Sequence, residues 1–194
     1  MGRLVEQGSF SGYSSIRLDE ARSAIPELSH YSQTVTVFLS HKHDDLEDLK
    51  GVIGFLQSTY GVKIYIDSQD KTMPSKTNGE TAQTIKERIK ECKKFILLAT
   101  EAAVESKWCN WELGYGDAEK FKSDSIAVFP LKPKGTMDYK YKGNEYLQIY
   151  PYIAYYDGTS TYNDGTPIKR GYYICKKVGD TNYLSELGNW LSKK

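Results

Sequence analysis

Between Glu105 and Gly114 the chain gathers two tryptophans, a cysteine and a carboxylate: Trp108, Cys109, Trp111 and Glu112. Trp108 and Glu112 are four positions apart, so a helix stacks them on one face, a carboxylate beside an indole plane. Such a pair suits a ligand with a flat ring and a sugar on which positive charge develops. An ordinary helix would bury the tryptophan in the core and leave the glutamate in solvent. What lies upstream decides between the two.

Two more groups carry candidate chemistry. Ser40-His41-Lys42-His43-Asp44 follows one apolar run and Asp67 follows another. His41 and His43, with Asp44 and Asp45, have the residue types of a metal site. His30 is the one other histidine and lies apart from them, so no metal ligand set is assigned. Asp44 reads better as a helix cap and Asp67 as the start of an Asx turn. Gly114-Tyr115-Gly116 fails as a dinucleotide fingerprint, because Glu119 stands where the third glycine belongs and the segment lies inside a helix. Cys109 has no partner histidine at a recognisable spacing and reads as a partly buried thiol.

These groups need a scaffold, and the periodicity supplies one. Thr34 to Leu39 is a β-branched, apolar strand. A helix is expected from Asp44, with Glu47 completing a capping-box-like start and Leu46, Leu49, Ile53 and Leu56 on its apolar face. Gly61 ends it, and Val62 to Ile66 is the second strand. Strand, helix and strand at this spacing make a βαβ unit. A polar loop from Asp67 to Gly79 leads to a helix over about Thr81 to Lys93, with Ile85, Ile89 and Cys92 facing inward. Phe95 to Ala99 and Ser125 to Leu131 are the third and fourth strands, with the Trp108 helix between them. Alternating β and α predicts an α/β fold: an open, flavodoxin-like parallel sheet with helices on both faces. In such a sheet ligands bind outside the carboxyl ends of the strands, which is where all three groups fall.

The flanks differ in character. Residues 1–33 are polar and mixed, with weak helical periodicity from Leu18 to Leu28 interrupted by Pro26, and read as a loosely docked N-terminal extension. Residues 34–131 form the core. Residues 132–194 hold most of the 16 tyrosines and many turn signals. They read as a Tyr-rich C-terminal appendage packed on the same domain, with extended segments near Tyr146 to Tyr156 and Gly171 to Cys175 and a short helix from Tyr183 to Leu191.

Composition limits the function classes. The 26 basic and 25 acidic residues leave a net charge of +1, which gives no electrostatic footprint for nucleic acid. Three cysteines far apart, Cys92, Cys109 and Cys175, argue against a disulfide framework and against structural zinc. No apolar h-region and no run near the ~18 residues that span a bilayer are visible, so no membrane partner and a cytoplasmic location are expected.

The ordered set of these segments resembles the Toll/interleukin receptor (TIR) domain family over Thr34 to Leu131. The resemblance rests on Val37-Phe38-Leu39-Ser40-His41, on Val62 to Asp67 with its long loop, on Phe95 to Thr100, and above all on Ser106-Lys107-Trp108-Cys109 followed by Trp111-Glu112-Leu113. It implies NAD⁺ as a substrate rather than a cofactor, cleaved at the nicotinamide–ribose bond with Glu112 as the catalytic residue. Ser40, His41, Lys42, Asp67, Trp108 and Cys109 would line the substrate site. It further implies self-association through the 68–79 loop. The chain also resembles the free-standing bacterial TIR NADases of the Thoeris antiphage type, which implies an ADP-ribose-derived messenger, in expectation a cyclic one, read by a separate effector protein. The competing expectation is a non-catalytic interaction module or a mimic of host TIR signalling.

Overall fold

A computed structural model describes residues 2–14, 34–69, 78–136 and 145–193. Among these residues eight strands form one sheet: β1 (Val5–Glu6), β2 (Thr36–Ser40), β3 (Lys63–Tyr65), β4 (Lys94–Ala99), β5 (Ile126–Lys132), β6 (Tyr152–Tyr156), β7 (Gly171–Val178) and β8 (Thr181–Glu186). Their order is β3-β2-β4-β5-β6-β7-β8, with β1 paired to β5. Strands β2 to β6 run parallel, and β7 and β8 add antiparallel pairs. The chain leaves β2 for β3 on one side and returns to β4 on the other. The β2/β4 junction is therefore the switch in strand order where an open α/β sheet leaves a crevice.

The alternation of side chains along each strand builds two cores. Val37 and Leu39 of β2, Ile96 and Leu98 of β4, and Ala127 and Phe129 of β5 face α1 (Leu46–Tyr60) and the C-terminal helix. Phe38, Phe95, Leu97 and Val128 face the opposite side, against α2 (Gly79–Glu91), α3 (Glu101–Glu105) and α4 (Lys107–Lys120). Helices cover both faces of a mostly parallel sheet, the expected α/β architecture. Gly61 closes α1 with φ 66°, as its sequence position requires. Among the described residues no helix is long and apolar enough to cross a membrane.

Several local expectations are corrected. Helix α1 starts at Leu46 after Asp45, and no side chain caps it. The Asp45 carboxylate is instead engaged by the Thr100 hydroxyl at the end of β4, while Glu47 pairs with Lys50 at 3.0 Å. A capping box does form on α2, where Asn78 and Thr81 bond reciprocally. The linker between β4 and α4 is itself helical, α3, and Ser106 ends it while capping the next helix.

The first residues are not loosely attached. β1 extends the edge of β5, pairing Val5 with Leu131, and Arg3 exchanges two backbone bonds with Tyr155 of β6. Phe10 is buried, its ring stacked 4.6 Å from Phe55. Two glycines on α1 admit this arm: a Cβ on Gly51 would lie 2.7 Å from the Phe10 carbonyl oxygen, and one on Gly54 would lie 2.2 Å from that of Tyr13. The expected periodic stretch Leu18 to Leu28 lies outside the described residues.

At the other end, Tyr183 to Glu186 belongs to β8 rather than to a helix. Val178 pairs with Thr181 around Gly179, whose φ of 59° makes the tight turn. The helix α5 spans Leu187–Ser192 and buries Leu187, Trp190 and Leu191. β6 is the fifth parallel strand of the sheet, so the tyrosine-rich segment contributes to the same layer as β2.

Candidate active site

Helix α4 brings the carboxylate to the sheet. Ser106 accepts the Cys109 N–H at 3.4 Å and starts the helix. At its last turn the Lys120 ammonium donates to the carbonyls of Lys90 and Cys92, at 3.0 and 2.7 Å, and so ties α4 to the end of α2. One face of α4 is apolar through Cys109 and Leu113. Glu112 lies between them in sequence and is 2% exposed.

The partner for that buried acid is dictated by strand alternation. Phe38 and Ser40 project to the same side of β2, the side α4 covers. Ser40 is itself buried, and its hydroxyl donates to Glu112 Oε2 at 2.5 Å. The second oxygen, Oε1, is buried without a hydrogen bond of normal geometry among the described residues. Burial first, and then the negative charge of Asp67, push the Glu112 carboxyl up to about 8. The Ser40 and Trp108 donors oppose this, although Oε1 itself makes no hydrogen bond of normal geometry.

His41 is buried beside them. Its Nδ1 faces the Leu39 carbonyl at 3.1 Å, and its Nε2 faces the Ser68 hydroxyl at 3.3 Å. These bonds assign the proton to Nδ1 and leave Nε2 as acceptor. Burial lowers the imidazole's affinity for a second proton, against the pull of Asp67, whose Oδ1 lies 3.8 Å from Nδ1. His43 stacks on His41 with ring centroids 5.5 Å apart. Lys42 is more exposed and lies 3.9 Å from Asp44.

Trp108 is half-buried and stacks on Trp111 at 5.1 Å, and Trp111 in turn stacks on Tyr115 at 6.4 Å. Cys109 is buried and donates its thiol to the His41 carbonyl at 3.3 Å. Burial pushes this thiol up to about 11, which makes it a poor nucleophile. Among the described residues no group of three or more His, Cys, Asp or Glu side chains could hold a metal ion.

Ser40, His41, Asp67, Cys109 and Glu112 therefore meet at the carboxyl ends of β2 and β3, with Trp108 beside Glu112 and Lys42 at the rim. Two residues with no assigned role in the sequence also belong here. Thr100 bridges the loop after β2 to β4 through Asp45, and its hydroxyl accepts the Ala103 N–H at 3.1 Å, so it caps α3 as well. Ser68 supports His41. The only signal for them in the sequence is their place just beyond a strand end. Most of the polar loop over 68–79 lies outside the described residues.

A family model for the TIR domain matches residues 37–166. The chain is also similar to a Bacillus cereus (strain MSX-D12) protein named "Probable 3' cyclic ADP-D-ribose synthase ThsB'", at 37% identity over 120 residues. That match takes in 61% of this chain and 60% of the relative's length.

Proposed function

The chain belongs to the TIR domain family, and we propose on that premise that it cleaves the nicotinamide–ribose bond of NAD⁺ to release nicotinamide and a cyclic ADP-ribose-type messenger. The observation that carries this reading is the carboxylate of Glu112: held by Ser40 through one oxygen, without a hydrogen bond at the other among the described residues, and set at the switch point of the sheet.

The chemistry needs little more than such a group. Nicotinamide is already a cationic leaving group, so when the bond breaks its electron pair neutralises the ring nitrogen and no general acid is required. The barrier lies in the oxocarbenium-like ribosyl centre. A desolvated carboxylate stabilises that centre and accepts a hydrogen bond from the ribose hydroxyls. Ordinary glycosidases need two carboxylates because their leaving group must be protonated. Trp108 supplies an apolar wall for the ring. Attack by a hydroxyl of the bound ADP-ribose, with loss of its proton to solvent, closes a ring, whereas attack by water gives linear ADP-ribose. The relative is named for a 3′ cyclic product, and we place this chain's product in the same class.

The remaining parts of the proposal follow from that role. His41, Lys42 and Asp67 contact the substrate, and no resident cofactor is required. The protein acts in the cytoplasm as the messenger-producing arm of antiphage signalling, assembles through its 68–79 loop, and hands the product to a separate effector. The test is nicotinamide release and mass spectrometry of the products after concentrated protein meets NAD⁺, with and without a phage-lysate trigger. A species isomeric with cyclic ADP-ribose, absent from the Glu112→Gln variant, is expected. Intact NAD⁺ under all conditions would overturn the reading in favour of a non-catalytic interaction module.

A further inference from the structure

We propose that Ser40 is a positioning residue for Glu112: its hydroxyl occupies Oε2 and fixes the carboxylate plane, leaving Oε1 as the one acceptor for the ligand. The inference rests on the role given to Glu112 above and assigns Ser40 an action through that carboxylate rather than on the substrate.

The argument begins with the backbone. Ser40 closes β2, and its partner Leu97 lies on β4, so its Cα is fixed by the sheet on the β4 side. The alternation that points Phe38 into the α4-side core points Ser40 the same way. One turn before Glu112 on α4, Cys109 donates to the carbonyl of the next residue, His41. Helix and strand end are thus joined at two consecutive residues by two bonds three positions apart. A rigid seat of this kind holds a reacting group to the tolerance that an oriented reaction requires.

The unpaired oxygen supplies the second observation. A buried acceptor without a partner is costly, and native folds tolerate few of them. A carboxylate serving only the fold would be bonded at both oxygens. Here one oxygen is satisfied by a neighbour equally buried, and the other has no hydrogen bond of normal geometry among the described residues, with the Trp108 side chain the nearest opposing donor. The chemistry that fits Oε1 is a hydroxyl pair on a sugar carrying positive charge. The groups facing this carboxylate from the neighbouring elements are Asp67 after β3, His41 after β2 with His43 and Asp45 behind it, and Trp108 and Cys109 on α4 itself. Asp67 opposes the anion, so the Ser40 hydroxyl is the first of the groups that favour it.

The test compares wild type with Ser40→Ala and with the near-isosteric Ser40→Cys, whose thiol is a weaker donor. Glutamate labelled with ¹³C at the carboxyl is titrated by NMR, and Glu112→Gln assigns the resonance. Loss of a hydrogen bond to a charged group should raise the Glu112 midpoint by about one to two pH units in Ser40→Ala, with Ser40→Cys between. The acid limb of kcat/KM for NAD⁺ should move by the same amount. Activity at pH 7 then falls roughly 10- to 100-fold, with a much smaller loss above the limb. A midpoint unchanged by Ser40→Ala, or an activity loss equal at every pH, overturns the proposal. The titration needs no turnover, so failure of the NAD⁺ reading alone would leave the Glu112 shift intact and be seen separately.

Discussion

Replacing Glu112 by glutamine should stabilise the protein while abolishing its activity, and the stabilisation should depend on pH in a defined way. The carboxyl sits 2% exposed, and its proton affinity is raised from 4.5 to about 8, chiefly by burial. Between those values the folded state holds a proton that the unfolded chain has released. Stability therefore falls as pH rises through that window, at about 1.4 kcal/mol per pH unit, and levels off above 8. The ceiling is about 5 kcal/mol. Water penetration and local relaxation reduce it, so about 2–4 kcal/mol by pH 8.5 is the working figure. Glutamine does not titrate. It keeps an acceptor for Ser40 and places an NH₂ where Oε1 now lacks a partner, which adds an offset that is the same at every pH. Urea unfolding of both proteins at pH 4.5, 6, 7 and 8.5, at constant ionic strength, separates the two contributions. The difference in unfolding free energy, variant minus wild type, should grow steadily from pH 4.5 to 8.5. A difference constant to within about 0.5 kcal/mol over that range refutes the buried-charge argument, whatever the offset. The same variant should lose about 10²- to 10⁴-fold in NAD⁺ cleavage.

Gly54→Ala should loosen the N-terminal arm, because the new Cβ would meet the Tyr13 carbonyl oxygen at 2.2 Å. A loss of about 1–3 kcal/mol, with faster amide exchange in residues 2–14, is expected, while Gly114→Ala, which faces open space, should not destabilise. Thr100→Val removes both the tie to Asp45 and the cap of α3, and should cost about 1–3 kcal/mol in urea unfolding. Thr100→Ser should recover most of that loss. A Thr100→Ser variant as unstable as Thr100→Val would refute the assignment of the loss to the hydroxyl.

The elements that place the site were legible because their signals are local and periodic. Thr36 to Ser40, Lys94 to Ala99 and Ile126 to Lys132 are apolar, β-branched runs of strand length, and each became a central strand. Misreadings arose where a distant partner outweighed a local preference. Asp44 is the expected cap of α1, but the helix begins one residue later, and Asp45 in the cap position has its carboxylate taken by Thr100 from beyond another strand. The expected helix from Tyr183 to Leu191 carries Leu184, Leu187 and Leu191 at spacing compatible with a helix, but Tyr183 and Leu184 pair with Lys176 and Cys175 of β7 once the Gly179 turn has reversed the chain. The arm over residues 2–14 gave no hydrophobic period at all. Its docking depends on Phe10 entering a gap left by Gly51 and Gly54, a fit between segments about forty residues apart that no window of sequence displays.

The same distinction governs the site itself. Trp108 and Glu112 share a helix, so their adjacency follows from a spacing of four. The bond from Ser40 to Glu112 spans 72 positions and depends on the side of β2 that α4 covers. That side is set by strand parity: a one-residue shift in β2 would send Ser40 to the α1 side and bring Leu39 or His41 to the carboxylate. With an apolar neighbour the acid would lose the donor that favours its anion and would hold its proton to higher pH than it does beside Ser40, and with a neutral imidazole acceptor it would give up its proton to form a buried ion pair. The first makes the anion rarer and the second commits its charge to a neighbour, and either weakens what is offered to a ribosyl cation. A hydroxyl does neither, since it donates to the anion without competing for its charge. The parity of β2 therefore fixes which kind of side chain meets Glu112, and with it the charge state in which that residue can act.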